Sequence, residues 1–378
     1  MTAWAERVAA RLDVIRAGGR WRSLTTLSGV LPELELDGRK VVSFAANDYL
    51  GLAAHPAVVE AAHVALDEWG LGVGASRLIV GHRGYHDELE DELASWKRTE
   101  AALSLPSGFA ANVAVLTTLA DHPDVLVVSD ELNHASIIDG CRMSRGTVAV
   151  ARHADPAHVE ELLTAHGGPA IVATDTVFSM DGDEAPVAEL LEVCGRHGAC
   201  LVLDEAHAVL GPWVDMSAAE ASGVEVVRVG TMSKALGSVG GYVAASRAVV
   251  DLLVNVARPF IFTTGTTSAD VAGALAAVRI VRGAEGTALR IRLRHHIERI
   301  AFGHPSPIVP IVLGEERTAL AAAAKLLERG LLVPAIRPPT VAVGTSRLRV
   351  ALSAAHTDDQ IERLARALAQ LPVPEPGC

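Results

Sequence analysis

Short apolar runs alternate with amphipathic segments from about residue 40 to residue 245, and few folds accommodate such a pattern. The runs are continuously apolar, as in strands that helices cover on both faces. The segments between them have helical spacing. The alternation therefore predicts an α/β fold with a mainly parallel sheet. The predicted strands are 125–129, 148–151, 170–174, 200–203 and 226–230, and the predicted helices are 108–119, 135–143, 156–164 and 187–195.

The chain outside this region predicts two further parts. Residues 2–16 have the spacing of an amphipathic helix, and the pattern becomes more helical after about residue 246. Thr357, with Gln360 three residues later, predicts a capping box at the start of the last helix. Later predicted elements are 308–313, 319–329, 331–335, 347–351 and a helix that ends at 370. The predicted divisions are an N-terminal arm at 1–45, a large domain at 46–280 and a small α+β domain at 281–378.

Composition restricts the partners and the compartment. The chain has 378 residues and a formal net charge of −12, which argues against nucleic acid or an anionic membrane as its main partner. It contains no run of ~18 apolar residues, and its N-terminus lacks the apolar core of a signal peptide. Its four cysteines show no C-x-x-C spacing, so neither a disulfide framework nor a metal site is expected. We therefore expect a cytoplasmic protein.

Lysine is rare in this chain, at four of 33 basic residues. Lys40 lies in a turn, Lys97 ends a charged helical segment, and Lys325 has charged helical neighbours, so these three settings are typical of solvated surface lysines. Lys234 differs, because it follows a predicted buried strand and stands between a serine and an alanine. Arginine cannot form an imine, so a site that needs an amine must keep lysine. Lys234 is therefore the candidate for amine chemistry.

An acid and a histidine follow another predicted strand. The sequence Asp-Glu-Ala-His at 204–207 comes directly after the apolar run 200–203. Carboxyl ends of parallel strands form the edge where ligands bind in open α/β folds. One interpretation is an aspartate that caps the next turn beside a surface histidine. The other joins Asp204 to Lys234 in a pyridoxal phosphate site, where lysine holds the cofactor as an imine and a carboxylate pairs with the pyridinium nitrogen.

A candidate phosphate site lies at the start of a predicted helix. Ser107, Gly108 and Phe109 follow a short apolar run, and free N–H groups at a helix start bind phosphate. Thr231, three residues before Lys234, offers a further hydroxyl. Alternatively, the Ser-Gly pair is ordinary turn chemistry.

Six ordered motifs together resemble the α-oxoamine synthase family, a branch of the fold-type-I pyridoxal phosphate enzymes. The resemblance covers nearly the whole chain. It implies a large, mainly parallel-sheet domain with a smaller C-terminal α+β domain. The motifs are Asn-Asp-Tyr-Leu-Gly-Leu at 47–52, Ser-Gly-Phe at 107–109, Asn-His-Ala-Ser at 133–136, Phe-Ser-Met-Asp-Gly-Asp at 178–183, Asp-Glu-Ala-His at 204–207 and Thr-Met-Ser-Lys at 231–234.

The resemblance also implies a role for each matching residue. The implied cofactor residues are Lys234 as imine lysine and catalytic base, Asp204 as the pyridinium partner, His207 beside the phenolic oxygen, His134 stacked on the ring, Ser179 at the same edge, and Gly108, Phe109 and Thr231 at the phosphate. Thr263 and Thr264 match a pair that reaches the neighbouring subunit's phosphate, which implies a homodimer with shared sites. Arg349 matches the arginine that binds the amino acid carboxylate. The residues implied on the substrate side, besides Arg349, are Arg22, Asn47 and Arg337.

The implied reaction is a decarboxylative condensation. The motifs at 336–341 and 344–349 most resemble the branch that makes 8-amino-7-oxononanoate for biotin synthesis. Its substrates would be L-alanine and pimeloyl-CoA or a pimeloyl carrier protein. One alternative is another synthase of the family, such as the one that joins glycine to acetyl-CoA. A second alternative is a catalytically silent partner subunit, although all four residues implied in catalysis are present (Lys234, Asp204, His207 and His134).

Some positions depart from the family pattern, and others are expected to be unremarkable. Ala208 stands where glycine is usual, the short segment 209–215 replaces a Gly-rich stretch, and Asp175 replaces a frequent glutamate. These changes predict altered loop geometry beside unchanged chemical groups. The charged stretch 86–90 and the pair at 295–296 are expected to be solvent-exposed and not to bind metal.

Overall fold

The computed structural model describes residues 2–371, and its fourteen strands form three sheets. The largest sheet has seven strands and supplies the edge on which the candidate site lies. The strands are β1 Ser28–Val30, β2 Glu33–Leu36, β3 Arg39–Ser43, β4 Ala101–Leu105, β5 Leu126–Asp130, β6 Thr147–Ala151, β7 Ala170–Asp175, β8 Cys200–Asp204, β9 Val226–Thr231, β10 Gly241–Ala245, β11 Ile308–Gly314, β12 Leu331–Leu332, β13 Ala335–Ile336 and β14 Ser346–Ala351.

The large sheet has the order β4-β10-β9-β8-β7-β5-β6. Strand β10 is antiparallel to both of its neighbours, while β9, β8, β7, β5 and β6 pair in parallel. Strands β5 and β7 are buried along their whole length, as expected of strands covered on both faces. The predicted mainly parallel sheet is therefore confirmed, and all five predicted strands are present.

Fourteen α-helices accompany the sheets in the described residues. Helix α4 begins after Ser107, whose hydroxyl accepts from the Ala110 N–H, and the Thr357–Gln360 capping box of α14 is confirmed. The helices are α1 Ala3–Ala17, α2 Pro56–Trp69, α3 Gly84–Lys97, α4 Gly108–Leu119, α5 Ala135–Met143, α6 Pro156–His166, α7 Val187–His197, α8 Met216–Ser222, α9 Arg247–Val256, α10 Arg258–Ile261, α11 Ser268–Arg282, α12 Ala284–Ile300, α13 Glu316–Glu328 and α14 Asp358–Leu368. None of these helices is long and apolar enough to cross a membrane.

The two ends of the chain meet in the smaller sheets. Strands β1, β2 and β3 pair in order, and β12 adds to β3 in parallel, so the N-terminal strands join the C-terminal part of the chain. Strands β11, β14 and β13 form the third sheet, in which β14 is buried throughout. One buried apolar cluster includes Phe44, Leu52, Leu293 and Leu348, and so links the ends of the chain to the centre.

Some expectations from the sequence are wrong or incomplete. Strands β4 and β10 were not predicted, because alanine and glycine give them weak strand propensity. His86 and His296 are buried instead of exposed, and His296 Nδ1 lies 3.0 Å from the Ser353 carbonyl oxygen. Helix α1 is present, but none of its side chains is buried within residues 2–371.

Candidate active site

Three strand ends converge at one edge of the large sheet. Asp175 ends β7, Asp204 ends β8, and the two residues are paired in the ladder. Lys234 follows the end of β9 by three residues. Because β7, β8 and β9 are parallel, their carboxyl ends meet, and the two carboxylates act electrostatically on the Lys234 amine. The structure therefore brings the predicted lysine and aspartate together.

Lys234 and His207 are in direct contact. Lys234 Nζ lies 3.0 Å from His207 Nε2, and His207 Nδ1 lies 2.6 Å from the Tyr49 hydroxyl. Tyr49 donates its proton to Asn47 Oδ1 at 3.0 Å. With the Tyr49 proton on Asn47, the tautomer that satisfies both contacts carries the proton of His207 on Nδ1 and leaves Nε2 to accept an N–H of Lys234.

Burial sets the protonation of this pair. Burial lowers the pKa of Lys234 below its ordinary 10.5, opposed by the nearby Asp204 and Asp175 carboxylates. Burial also lowers the pKa of His207 well below 6.5, and the Lys234 and Arg349 charges lower it further. His207 is therefore neutral near pH 7, consistent with one donor and one acceptor nitrogen.

Arg349 approaches the same centre from β14. Its Nε donates to the Ser179 carbonyl oxygen at 2.5 Å, and its Nη2 donates to Asn47 Oδ1 at 3.2 Å. Asn47 therefore accepts from both Arg349 and Tyr49. A continuous chain of hydrogen bonds runs from Lys234 through His207, Tyr49 and Asn47 to Arg349.

A second hydrogen-bonded chain holds Asp204 and His134. Asn112 Nδ2 lies 2.6 Å from Asp204 Oδ2 and 2.8 Å from Ser136 Oγ, which is 2.7 Å from His134 Nδ1. The His134 ring also accepts from the Ser136 N–H and so caps α5. The His134 N–H donates to Asp175 Oδ2 at 2.7 Å. Main chain and side chains together fix the imidazole next to the Asp204 carboxylate.

The second buried aspartate, Asp175, has a perturbed pKa. Burial and the neighbouring Asp204 carboxylate raise the pKa of Asp175 well above 3.8. A raised pKa makes Asp175 easier to protonate, and its Oδ2 is already used by the His134 N–H.

A narrow cradle lies between the start of α4 and the end of β9. A Cβ on Gly108 would lie 3.2 Å from the Thr231 Cβ, so glycine is what allows this approach. Thr231 Oγ1 donates to the Gly240 carbonyl oxygen and lies 2.7 Å from Ser233 Oγ. Phe109 is 47% exposed beside this cradle.

Four predicted residues lie apart from this cluster. Thr263 and Thr264 precede Gly265, whose N–H donates to the Ala75 carbonyl oxygen, and no side-chain hydrogen bond within residues 2–371 joins the two threonines to Lys234 or Asp204. Arg337 donates to the Gly19 carbonyl oxygen at 2.9 Å. Arg22 is exposed on the N-terminal segment. The roles of these four residues therefore stay predictions.

Sequence reasoning missed three residues of the site: Tyr49, Asn112 and Ser136. Each of them lies in or near one of the sequence motifs, but a motif does not predict which of its side chains contact one another. The prediction that Lys97 is a solvated lysine is wrong. Lys97 is 3% exposed and lies 2.8 Å from Glu205 Oε2, because the end of α3 packs under the strand ends. The sequence feature that could have indicated a buried partner for Lys97 is Glu205, an acidic residue that directly follows a buried strand.

Comparison with known proteins places the chain in a family. Residues 39–368 match the family described as aminotransferase class I and II. The 8-amino-7-oxononanoate synthase of Anaeromyxobacter sp. (strain K) is 47% identical over 98% of this chain and 97% of its own length. The chain belongs to the class I and II aminotransferase family.

Two solved structures share the fold of this aminotransferase-family chain. The serine palmitoyltransferase of Sphingomonas wittichii superposes with a TM-score of 0.87 at 30% identity, covering 97% of this chain and 96% of its own. That of S. paucimobilis, solved with a bound PLP–myriocin aldimine, gives 0.85 at 28% identity over 96% and 95% of the two chains. The predicted fold-type-I class and the resemblance to the α-oxoamine synthases are confirmed.

The residues of this aminotransferase-family chain fit pyridoxal phosphate. The amine of Lys234 is buried beside a neutral imidazole, and the buried Asp204 carboxylate is held by Asn112. The Gly108–Thr231 cradle adjoins the first turn of α4, whose early N–H groups are suited to an anion.

The lowered pKa of Lys234 predicts its reactivity. In cofactor-free protein, pulse labelling with acetic anhydride, read by peptide mass spectrometry, should modify Lys234 with a half-maximal pH below that of Nα-acetyllysine amide added to the sample. Burial destabilises the ammonium form, so the reactive neutral amine appears at lower pH. Normalising each curve of labelling yield against pH to its plateau at high pH removes the effect of how easily the reagent reaches the amine. A half-maximal pH equal to or above that of Nα-acetyllysine amide would contradict a lowered pKa of Lys234.

Proposed function

We propose that this protein condenses L-alanine with a pimeloyl thioester to give 8-amino-7-oxononanoate, CO2 and the free thiol carrier. The observation that supports the proposal is the hydrogen-bonded chain from Lys234, the proposed base, to Arg349, the proposed carboxylate-binding group. Full-length similarity to relatives named 8-amino-7-oxononanoate synthase supports the choice of substrates. We also propose a homodimer that acts in the cytoplasm.

Pyridoxal phosphate is the proposed cofactor. Lys234 would hold it covalently, and Asp204 would pair with its ring nitrogen. When bound, the cofactor supplies an electron sink for negative charge that develops at the alanine Cα. The remaining proposed cofactor residues are His134 at the ring face, His207 and Ser179 at the phenolic edge, Gly108, Phe109 and Thr231 at the phosphate, and Thr263 and Thr264 across a dimer interface.

Arg349 would bind the alanine carboxylate. A guanidinium has five N–H donors, of which Nε and one Nη2 proton are used on Ser179 and Asn47. The two Nη1 protons and the second Nη2 proton remain, which is enough for a bidentate pair with a carboxylate. Because the two protein acceptors fix the guanidinium plane, the carboxylate is oriented as well as bound.

Once the amino group of alanine has displaced it from the cofactor, Lys234 would take up the Cα proton of alanine at Nζ. Its lowered pKa favours the neutral amine, and His207 Nε2 accepts one N–H, which orients the Nζ lone pair. The deprotonated Cα attacks the thioester carbonyl carbon, the C–S bond breaks, and the thiolate leaves. Loss of CO2 then removes the carboxylate, and Nζ returns a proton to Cα.

The acyl donor would enter beside the N-terminal segment. Arg337 contacts Gly19 of that segment, and Arg22 is exposed three residues further on. Both arginines suit the anionic groups that CoA and a phosphopantetheine-bearing carrier protein share.

A product assay tests the function. Purified protein with pyridoxal phosphate, L-alanine and pimeloyl-CoA should release CoA and form a product with the mass of 8-amino-7-oxononanoate. Glycine with acetyl-CoA should give much less. Faster turnover of glycine with acetyl-CoA would reassign the protein to another synthase reaction, and no turnover of either pair by cofactor-loaded protein would overturn the proposed function.

The role of Arg349 predicts a selective kinetic defect. Arg349→Gln should raise KM for alanine by about 10- to 100-fold, because a charge-assisted hydrogen bond contributes roughly 1.5–3 kcal/mol. KM for pimeloyl-CoA should change much less. Arg366→Gln, at an exposed arginine on α14, is the matched control and should leave both constants unchanged. An unchanged KM for alanine in Arg349→Gln would remove Arg349 from substrate binding.

A further inference from the structure

A cavity of about 520 Å³ lies under the segment that follows β8. Ala206, Ala208 and Trp213 line it from that segment, and Trp96 and Lys97 line it from α3. Of residues 2–371, its lining contains Thr231 but none of Lys234, Asp204, His207 or Arg349. The cavity thus borders the Gly108–Thr231 cradle without including the reactive side chains, and its volume lies within the usual range of small-molecule sites.

The charge of the cavity wall is opposite to that of the whole chain. Five basic side chains and one acidic side chain line the cavity, although the chain has a net charge of −12. Arg282 is paired with Glu92 outside the wall. Arg290 donates to the Val281 carbonyl oxygen and to Thr287 Oγ1, and it has no acidic partner in the described part of the chain. The local field therefore favours an anion.

A buried ion cluster at the wall carries an excess positive charge. Glu205 Oε1 accepts from Arg228 Nε at 2.7 Å, and Glu205 Oε2 accepts from Lys97 Nζ at 2.8 Å. All three side chains are less than 10% exposed, at 3% for Lys97, 1% for Glu205 and 6% for Arg228. Two cations thus share one carboxylate, and buried charge is stable only when it is paired. A second anion would balance the cluster.

Lys97 has donors left for such an anion. An ammonium has three N–H groups, and Glu205 takes one of them. Lys97 Nζ lies 3.8 Å from the centre of the Trp96 ring and 5.7 Å from those of Trp213 and Tyr242. These aromatic side chains offer flat, apolar walls next to the charge.

We propose that this cavity binds a small organic anion, with its carboxylate or phosphate group at Lys97 and a flat apolar body between the aromatic side chains. Among the described residues, the lining excludes Lys234, Asp204, His207 and Arg349, so the proposal does not depend on the reaction above.

Isothermal titration calorimetry on the cofactor-loaded protein tests the site. Benzoate and phenyl phosphate are the probes, and benzyl alcohol is the uncharged control. We expect saturable binding of at least one anion with Kd below about 1 mM and no measurable binding of the alcohol. The anion with the lower Kd identifies carboxylate or phosphate as the group that the site prefers.

Two variants locate the binding. Lys97→Met leaves Glu205 and Arg228 as a balanced pair and should weaken anion binding at least about tenfold, whereas Lys325→Met, at an exposed lysine, should not change it. Arg290→Gln, at a half-buried arginine of the wall, should weaken binding severalfold and covers the case in which Lys97→Met does not fold.

Three outcomes would overturn the proposal. The first is no saturable binding of either anion, which would indicate a neutral Lys97. The second is anion binding by the Lys97→Met or Arg290→Gln protein with the same Kd as the unsubstituted protein. The third is anion binding that shifts the cofactor absorbance and that neither substitution changes, which would place the anion in the catalytic centre.

Discussion

Burial of a single amine beside a neutral imidazole is the interaction on which the site depends. Exposed lysines carry a proton near pH 7, but burial of Lys234 at the strand ends disfavours that charge. His207 can accept an N–H from Lys234 only while it is neutral, and burial keeps it so. The parallel sheet makes this possible, because neighbouring strands end at one edge and deliver their side chains to the same place.

The hydrogen-bonded chain from Lys234 to Arg349 joins distant parts of the sequence. His207 follows β8, Tyr49 and Asn47 precede α2, and Arg349 lies on β14. Lys234, the proposed base, and Arg349, the proposed carboxylate-binding group, therefore belong to one network, and Tyr49, which is fully buried, contacts both His207 and Asn47. A change in the packing of β14 would reach Lys234 through three side chains, Asn47, Tyr49 and His207.

Much of this arrangement could be predicted from the sequence, for physical reasons. Continuous apolar runs identify buried parallel strands, so the residues that follow them, Asp204 and Lys234, could be placed at one edge. The side-chain partners could not be predicted, because Tyr49 contacts His207 and Asn112 contacts Asp204 across more than ninety residues of chain. The environment of Lys97 was unpredictable for the same reason: its helix looks charged and solvated, yet its last turn packs under the strand ends.

The identity of the imine lysine is the central claim, and chemical mapping tests it most directly. The cofactor-loaded protein would be reduced with borohydride and digested, and pyridoxyl-bearing peptides would be located by mass spectrometry. With four lysines in the chain, the answer is unambiguous. We expect the label on Lys234 alone. A label on Lys97, Lys40 or Lys325 with Lys234 unmodified would contradict it.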